Sequence, residues 1–165
     1  MSRYVKKERT ILFRGKVNYP SESGWLESSR IKCSHVYACD GSIHPTAELF
    51  SLLKNNWRDV DPNTLGQFIG RTDKHGTRIF EDDIFTVNGR YPKIIKYDEE
   101  QCAFMMANIH DLQNSGWMDV WQMPSTGWWS DSNRDIEVVG NIHDNPEMLE
   151  DGFDFDAIKD DLKSK

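Results

Sequence analysis

Turn signals divide residues 61–107 into short runs of β-branched and aromatic residues, and this pattern limits the fold more than any other feature. Asn88 and Gly89 separate two such runs, and the pair favours a type I′ hairpin because both residues tolerate a positive φ. Asp73 and Gly76 bound a second tight turn before a further run. Strands this short, broken by turns this often, are typical of a small barrel or a strongly bent sheet. We therefore predict a mainly β fold.

The remaining elements are predicted from local patterns. Residues 10–17, 31–39 and 136–140 have the composition and alternation of strands. Residues 46–55 are predicted to form an internal helix, because Thr46 can cap it and three leucines, Leu49, Leu52 and Leu53, recur at helical spacing. Asn145 and Pro146 are predicted to begin a short helical turn. Residues 108–135, which contain four tryptophans, are expected to form a strand–loop–strand excursion held by aromatic packing.

Size and composition exclude several classes of protein. At 165 residues and 19.2 kDa the chain allows one ordinary domain or two very small ones. An aromatic content of 12% argues against disorder, and three cysteines are too few for a disulfide framework. No apolar run approaches the roughly 18 residues of a membrane span, and no signal-peptide core follows the polar start. We expect N-terminal strands over residues 1–60, a barrel core over 61–149 and an acidic tail over 150–165.

The net charge of −7 is unevenly distributed along the chain. Six basic side chains lie within residues 1–16, whereas residues 144–165 carry eight acidic ones. The acidic body argues against general binding of polyanions, which requires a basic face that releases counterions. Both charged ends are typical of solvated segments, although the basic arm has the chemistry to contact a phosphate or an acidic chain.

Two clusters contain the residue types of a metal or acid–base site. Cys33, His35, Cys39 and His44 are the ligand types that zinc prefers. On a continuous strand, however, the two cysteines would lie about 20 Å apart, so the site requires a bend near residues 38–41. The alternative is a semi-buried strand face with a histidine in a loop.

The second cluster is a run of carboxylates at Glu81, Asp82 and Asp83, with Asp73 as a further candidate. Neighbouring carboxylates can bind magnesium or divide acid and base roles between them. Consecutive strand residues point to opposite faces, so the alternative is a turn with solvated acids. The sequence has no nucleophile elbow, no histidine-rich metal helix and no glycine-rich phosphate loop. No catalytic residue and no cofactor are expected.

Aromatic and basic side chains give a separate hypothesis of nucleic-acid binding. Exposed tryptophans beside basic residues can stack the bases of single-stranded nucleic acid. Five basic residues flank the central predicted strands and could line a groove: Arg71, Lys74, Arg78, Arg90 and Lys93. The competing interpretation places the tryptophans in the core or at a subunit contact.

Three blocks of sequence resemble the YopX-like family of phage and prophage proteins. The first joins residues 13–16 to residues 24–26, the second covers residues 64–84, and the third covers residues 136–149. Order and spacing agree with the family across all three blocks. The sequence departs at Asp82, where the family usually has glycine, and aspartate adopts a positive φ less readily.

The resemblance implies a mainly β fold containing a small SH3-like barrel, with an additional β-rich N-terminal region and one or two short helices. It implies a phage or prophage origin and the cytoplasm of the bacterial host, but no reaction. The signature residues are expected to serve turns, bulges or close strand approach. They are Gly66, Gly70, Asp73, Gly76 and Gly140. Asn88 and Gly89 are also expected to be structural, as the hairpin turn predicted above.

Three hypotheses of function follow. The leading one is a non-catalytic accessory protein that contacts other proteins or assembles with copies of itself, since small barrels expose strand edges and no catalytic motif is present. The first alternative is a nucleic-acid-binding module that uses the barrel face. The second is a zinc-dependent or zinc-stabilised protein. No membrane partner is expected.

Overall fold

Two compact units, Met1–Gly70 and Arg71–Lys165, make up the chain and are called unit 1 and unit 2 here. The computed structural model describes residues 10–19, 24–115, 120–125, 127–155 and 157. Residues 1–9 of the basic N-terminal segment, Trp117, and residues 156 and 158–165 of the predicted acidic tail lie outside the described residues.

Strands dominate the described residues. They are β1 Phe13–Lys16, β2 Trp25–Ser28, β3 Ile31–Tyr37, β4 Ile43–Ser51, β5 Asn56–Val60, β6 Gly66–Thr72, β7 Arg78–Phe80, β8 Asp83–Val87, β9 Arg90–Asp98, β10 Ala103–Asn108 and β11 Ile136–Asn141. The helix α1 is Ile109–Ser115, and three short 3-10 helices lie at Pro62–Thr64, Trp128–Ser130 and Pro146–Leu149. The mainly β class predicted from the turn pattern is confirmed, and one sheet is curled into a half-barrel. No helix among the described residues is long and apolar enough to cross a membrane.

Unit 1 contains two antiparallel sheets around a small apolar core. In one sheet β4 lies between β3 and β5, and in the other β1 lies between β2 and β6. Ala47, Leu49 and Val60 form the buried centre, and residues such as Phe13 and Leu26 from the second sheet cover it. Alternate residues of β4 therefore reach the core, as a half-buried strand requires. The chain passes into unit 2 within β6.

Unit 2 contains a four-stranded antiparallel sheet in the order β10-β9-β8-β11. Every residue of β8 is buried, the polar Asp83 and Thr86 as well as its three apolar residues. Ile84, Ile94 and Ala107 from three strands meet Ile109 and Leu112 of α1 in an apolar core. The packing of α1 on the sheet thus continues the core beyond the strands.

The predicted Asn88-Gly89 hairpin is confirmed. It joins β8 to β9, where Val87 pairs with Arg90. Asn88 has φ 55° and Gly89 has φ 65°, as a type I′ turn requires. The Asn88 side chain also accepts a hydrogen bond from the backbone of Asp135 at 2.8 Å, which ties the turn to the segment before β11.

The predicted helix over residues 46–55 is wrong, because this segment forms the end of β4 and the turn before β5. Leu49 is fully buried, but Leu52 and Leu53 are 81% and 98% exposed. A helical stripe would have placed all three leucines on one buried face. The spacing of these leucines is therefore coincidental.

Residues 108–135 also differ from the predicted strand–loop–strand excursion, because they contain α1 and the 3-10 helix Trp128–Ser130. The predicted helical turn at Asn145 and Pro146 is confirmed as the 3-10 helix Pro146–Leu149. The replacement of the family's glycine by Asp82 counted against a positive φ at this position, but Asp82 has φ 65°. Its side chain then lies 3.0 Å from the imidazole Nε2 of His143.

Gly140 lies at a bulge in β11, where the register with β8 shifts after Val138. A Cβ on Gly140 would lie 2.5 Å from Asn145 Oδ1 and 3.0 Å from Met148 Cε. The first of these distances is closer than real Cβ contacts allow, so the Asn145 side chain would have to move. The expected role of Gly140 in close approach is thus a steric one.

We predict that Gly140→Ala destabilises the fold by about 1–3 kcal/mol, because the added methyl group overpacks the contact with Asn145. Urea unfolding followed by far-ultraviolet circular dichroism measures the change. Gly127→Ala is the matched control, since Gly127 has φ −85° and no neighbour within 4 Å of a Cβ. Equal stability of the two variants would contradict the steric role.

Candidate interaction surface

A two-stranded ribbon continues past the core of unit 1. It comprises residues 33–45, the paired ends of β3 and β4 with their connecting turn, and is called the arm here. Ala47 is the last buried residue of β4 on this side. On one face the arm exposes Cys33 and His35, and on the other it exposes Val36 and His44. The arm therefore has solvent on both faces.

Hydrogen bonds organise the turn at the tip of the arm. Ala38 donates its N–H to the carbonyl of Ser42 at 2.9 Å, and Gly41 has φ 85°. The Asp40 carboxylate accepts from the Ser42 hydroxyl at 2.6 Å and from the Ser42 N–H at 2.9 Å. The hydroxyl hydrogen bond, followed by the backbone one, lowers the pKa of Asp40. The tip is thus ordered by its own contacts.

The alternation of backbone hydrogen bonds between β3 and β4 determines which backbone groups of the arm point outward. Hydrogen bonds join Phe50 to Arg30 at 3.2 Å and Ala38 to Ser42 at 2.9 Å. In an antiparallel pair, hydrogen-bonded and non-hydrogen-bonded positions alternate. Even-numbered residues of β3 therefore bond to β4, whereas Cys33 and His35 direct their N–H and C=O groups to the outer edge.

The two edges of the arm differ in their capacity to pair with another strand. On the β4 side, the odd-numbered residues point outward beyond the end of β5, and one of them is Pro45, which has no N–H to donate. On the β3 side, the outer edge has no partner strand among the described residues. One edge is thus blocked, and the other offers a row of donors and acceptors.

Side-chain chemistry reinforces this difference. Asp40 is the single charged residue of the arm if histidine is neutral, and no lysine or arginine lies within it. Val36 and Ile43 are each 54% exposed. Lysines protect the open strand edges of many monomeric proteins. β3 carries one lysine, Lys32, which precedes the arm and lies 3.5 Å from Glu48, whereas residues 33–37 of the same edge carry none. The arm consequently has the character of a protein contact surface.

The four residues of the predicted zinc site all lie in the arm, but the fold does not bring them together. Cys33 and His35 lie in β3, Cys39 lies in the turn after it, and His44 lies on the opposite face, 2.8 Å from the Ser42 hydroxyl. Within the described residues, no group of three or more histidine, cysteine or acidic side chains is placed to hold a metal ion.

The five basic residues of the predicted nucleic-acid groove occupy different environments in unit 2. Arg71, Arg78 and Arg90 are exposed on β6, β7 and the start of β9. The Lys74 ammonium lies 2.7 Å from the Glu137 carboxylate, and Lys93 is half-buried and donates to Asn108. Lys74 and Lys93 are thus engaged by other side chains, and a groove lined by all five stays a prediction.

The run of carboxylates does not converge on one point. Glu81 accepts the N–H of Tyr97 at 2.9 Å, whereas Asp82 lies beside His143. Asp83 is buried, contrary to the expectation of a solvated acid, because its carboxylate accepts the N–H of Phe80 at 2.8 Å. These acids hold a turn between β7 and β8.

The described tryptophans of unit 2 do not form the exposed aromatic surface considered from the sequence. Trp128 and Trp129 stack edge-on at 4.6 Å between ring centroids and cover the buried ring of Phe85. Trp121 packs against the core of unit 2. The five described tryptophans are all at least partly buried.

Sequence reasoning missed the arm because the helix predicted over residues 46–55 obscured its second strand. A signal was nevertheless present. Asp40 and Gly41 form a turn dipeptide between two runs of strand-forming residues, and Pro45 is incompatible with the interior of a central strand. A hairpin that turns at Asp40 and Gly41, with Pro45 on an outer edge, accounts for both features.

Comparison with known protein families settles the relationship expected from the sequence blocks. The family described as YopX protein matches residues 13–150, which is most of the chain. The chain belongs to the YopX family. A search of curated proteins found no match. The YopX match includes the arm, both sheets of unit 1 and the sheet of unit 2.

The central YopX-like block places a carboxylate at the centre of the Asp73 turn. Asp73 is buried and accepts N–H groups from His75 and Thr77 at 2.8 Å and from Val138 at 3.2 Å. It therefore joins the turn to β11, as its expected structural role requires. Beside it, Glu137 faces the Lys74 ammonium and lies 3.3 Å from His75 Nε2.

The hydrogen bond from Lys74, aided by the charges of Lys74 and His75, lowers the pKa of Glu137 against the opposing effect of burial. A carboxylate whose pKa is lower in the folded state stabilises the fold above its unfolded pKa, and this contribution is lost as the pH falls through the folded pKa. We predict that Glu137→Gln destabilises the protein at neutral pH and that the difference shrinks on acidification to about pH 3. Urea unfolding at a series of pH values measures it. A difference that does not change with pH would contradict the assignment.

Proposed function

We propose that this YopX-family chain is a phage- or prophage-encoded accessory protein of the bacterial cytoplasm, which acts without catalysis by associating with itself through the arm. The observation that carries the proposal is the open outer edge of β3 beside an edge that Pro45 blocks. An open strand edge favours the addition of another strand, because each unpaired N–H and C=O group then gains a partner.

A second copy of the chain fits this edge in an antiparallel arrangement. With a two-fold axis at Ser34, Cys33 of one copy lies opposite His35 of the other, and each pair exchanges two backbone hydrogen bonds. All seven residues of β3 are then paired. The three-stranded sheet of unit 1 becomes a continuous six-stranded sheet across the dimer.

Charge is compatible with this register. Lys32 of one copy lies opposite Val36 of the other, so the two lysines are separated along the sheet. Within its own chain, Lys32 already lies 3.5 Å from Glu48. Self-association therefore places no two like charges opposite each other across the two-fold axis. It also covers the apolar side chain of Val36.

We predict that His35→Pro weakens dimer formation at least about tenfold, because proline removes an outward donor in each copy and its ring obstructs the partner strand. The ladder to β4 is retained, since His35 bonds outward. Sedimentation equilibrium over a range of protein concentrations measures the association constant.

His35→Ala is the matched control because it removes the same side chain and keeps the N–H. It is expected to associate nearly as the unaltered protein does. If the unaltered protein remained monomeric at every concentration measured, self-association would be contradicted. Equal weakening by both variants would assign the contact to the imidazole and not to the strand edge.

A second candidate function is binding of single-stranded nucleic acid by unit 1. Four of its aromatic rings lie under basic groups, with separations of 4.5 Å for Arg14 and Trp25, 3.8 Å for Lys32 and Trp57, 4.9 Å for Arg30 and Phe50, and 4.5 Å for Arg58 and Tyr19. Unit 1 has ten basic and seven acidic residues, whereas unit 2 has ten basic and twenty acidic ones. Aromatic rings beside cations are the elements of a sequence-tolerant stacking surface.

Fluorescence anisotropy with a labelled oligothymidylate tests this second candidate. Binding is expected at low salt, with an affinity that falls as salt rises and that Trp57→Ala reduces about tenfold. Leu53→Ala, a change at an exposed apolar residue in the same unit, serves as the control. Absence of binding at low salt would exclude this function for unit 1.

A further inference from the structure

Unit 2 contains a polar cavity of about 250 Å³ that is separate from the arm. Strands β9 and β10 form one wall, and residues within 120–125 together with Trp128 form another. The side chains that determine its chemistry are Lys93, Asn108, Gln122, Ser125 and Trp128. Its size is slightly below the range of about 300–1,000 Å³ that is usual for small-molecule sites, so it suits a compact ligand.

The Lys93 ammonium is held at the cavity by a chain of hydrogen bonds. It donates to the side-chain carbonyl of Asn108, whose amide nitrogen in turn donates to the Asp111 carboxylate at 2.6 Å. The amide of Asn108 therefore has a fixed orientation, with its oxygen toward the lysine. Asp111 completes the chain without contacting Lys93 directly.

An ammonium group has three N–H donors, and Asn108 occupies one of them. Within the described residues no carboxylate forms an ion pair with Lys93. Burial, with a smaller contribution from the charge of Arg134, lowers the pKa of Lys93 against the opposing charge of Asp111. A half-buried cation of this kind gains stability when an anion enters beside it.

An aromatic ring lines the cavity beside Lys93, and a second cation, Arg134, holds that ring while it pairs with the Asp131 carboxylate at 3.6 Å. The Arg134 guanidinium lies 5.1 Å from the centroid of the Trp128 ring and donates to the Trp128 carbonyl at 2.8 Å. The indole of Trp128 is fixed by its contacts with Phe85 and Trp129. Lys93 and the fixed indole of Trp128 thus line the same cavity, and Arg134 contacts Trp128 from outside the lining, although unit 2 as a whole is acidic.

We propose that this cavity binds a small organic anion, in which a carboxylate or phosphate group attached to a flat ring accepts hydrogen bonds from Lys93 while the ring lies against Trp128. The cation supplies affinity for the anionic group, and the polar side chains of Gln122 and Ser125 can bond to ring substituents. The site is independent of the arm and of self-association.

Two anions and their uncharged counterparts test the proposal on the full chain. Benzoate with benzamide probes a carboxylate source, and uridine 5′-monophosphate with uridine probes a phosphate source. Protein nuclear magnetic resonance follows the side-chain N–H signals of Asn108, Gln122 and Trp128 during each titration. At least one anion is expected to shift all three signals, and its uncharged counterpart is expected to bind at least about tenfold more weakly.

Lys93→Met keeps most of the aliphatic stem and removes the charge, so it is expected to weaken binding of the anion at least about tenfold. Lys96→Met is the matched control. Lys96 lies on the same strand, 4.3 Å from the centroid of the Trp121 ring and outside the cavity lining. Binding that survives Lys93→Met, equal binding of the uncharged counterparts, or no shift with either anion would overturn the proposal.

Discussion

The alternation of hydrogen bonds along β4 determines what unit 1 can present to a partner. Even-numbered residues of β4 bond to β3, and odd-numbered residues bond to β5 as far as Val60, which pairs with Ala47. Beyond that point the odd positions have no neighbour in β5. Pro45 is the first of them, and it needs no hydrogen-bond partner for its nitrogen. The same alternation leaves the odd positions of β3 directed away from the unit.

Burial and edge chemistry act together in this part of the molecule. The core of unit 1 ends near Ala47, so the ribbon beyond it is stabilised by its own ladder and by the turn at Asp40. A two-stranded ribbon has marginal stability in water, and further strands increase it. Pairing through β3 would therefore stabilise the arm as well as join two copies. Unit 2 differs, because each residue of β8 is buried and Gln122 forms an isolated bridge to Met106 of the edge strand β10.

The parts of the fold that depend on local chemistry could be predicted from the sequence. Asn88 and Gly89 specify their turn through the backbone angles that they tolerate, and Asp73 specifies its turn through the N–H groups that a carboxylate can accept. The leucines at 49, 52 and 53 misled the prediction, because a strand and the turn after it happened to reproduce helical spacing. The arm could not be predicted in full, since the exposed state of its two faces depends on where the core of unit 1 ends. The cavity at Lys93 joins residues from segments that are distant in sequence, so no local pattern indicates it.

The chain belongs to the YopX family, and its proposed mode of action is self-association through the open edge of β3. Amide hydrogen exchange in the arm tests that mode most directly. Self-pairing predicts that the amides of Cys33 and His35 become protected as protein concentration rises, whereas those of Ser34 and Val36 are protected throughout by β4. Rapid exchange of Cys33 and His35 at every concentration, with Ser34 and Val36 protected, would show an edge that remains open and would contradict the account.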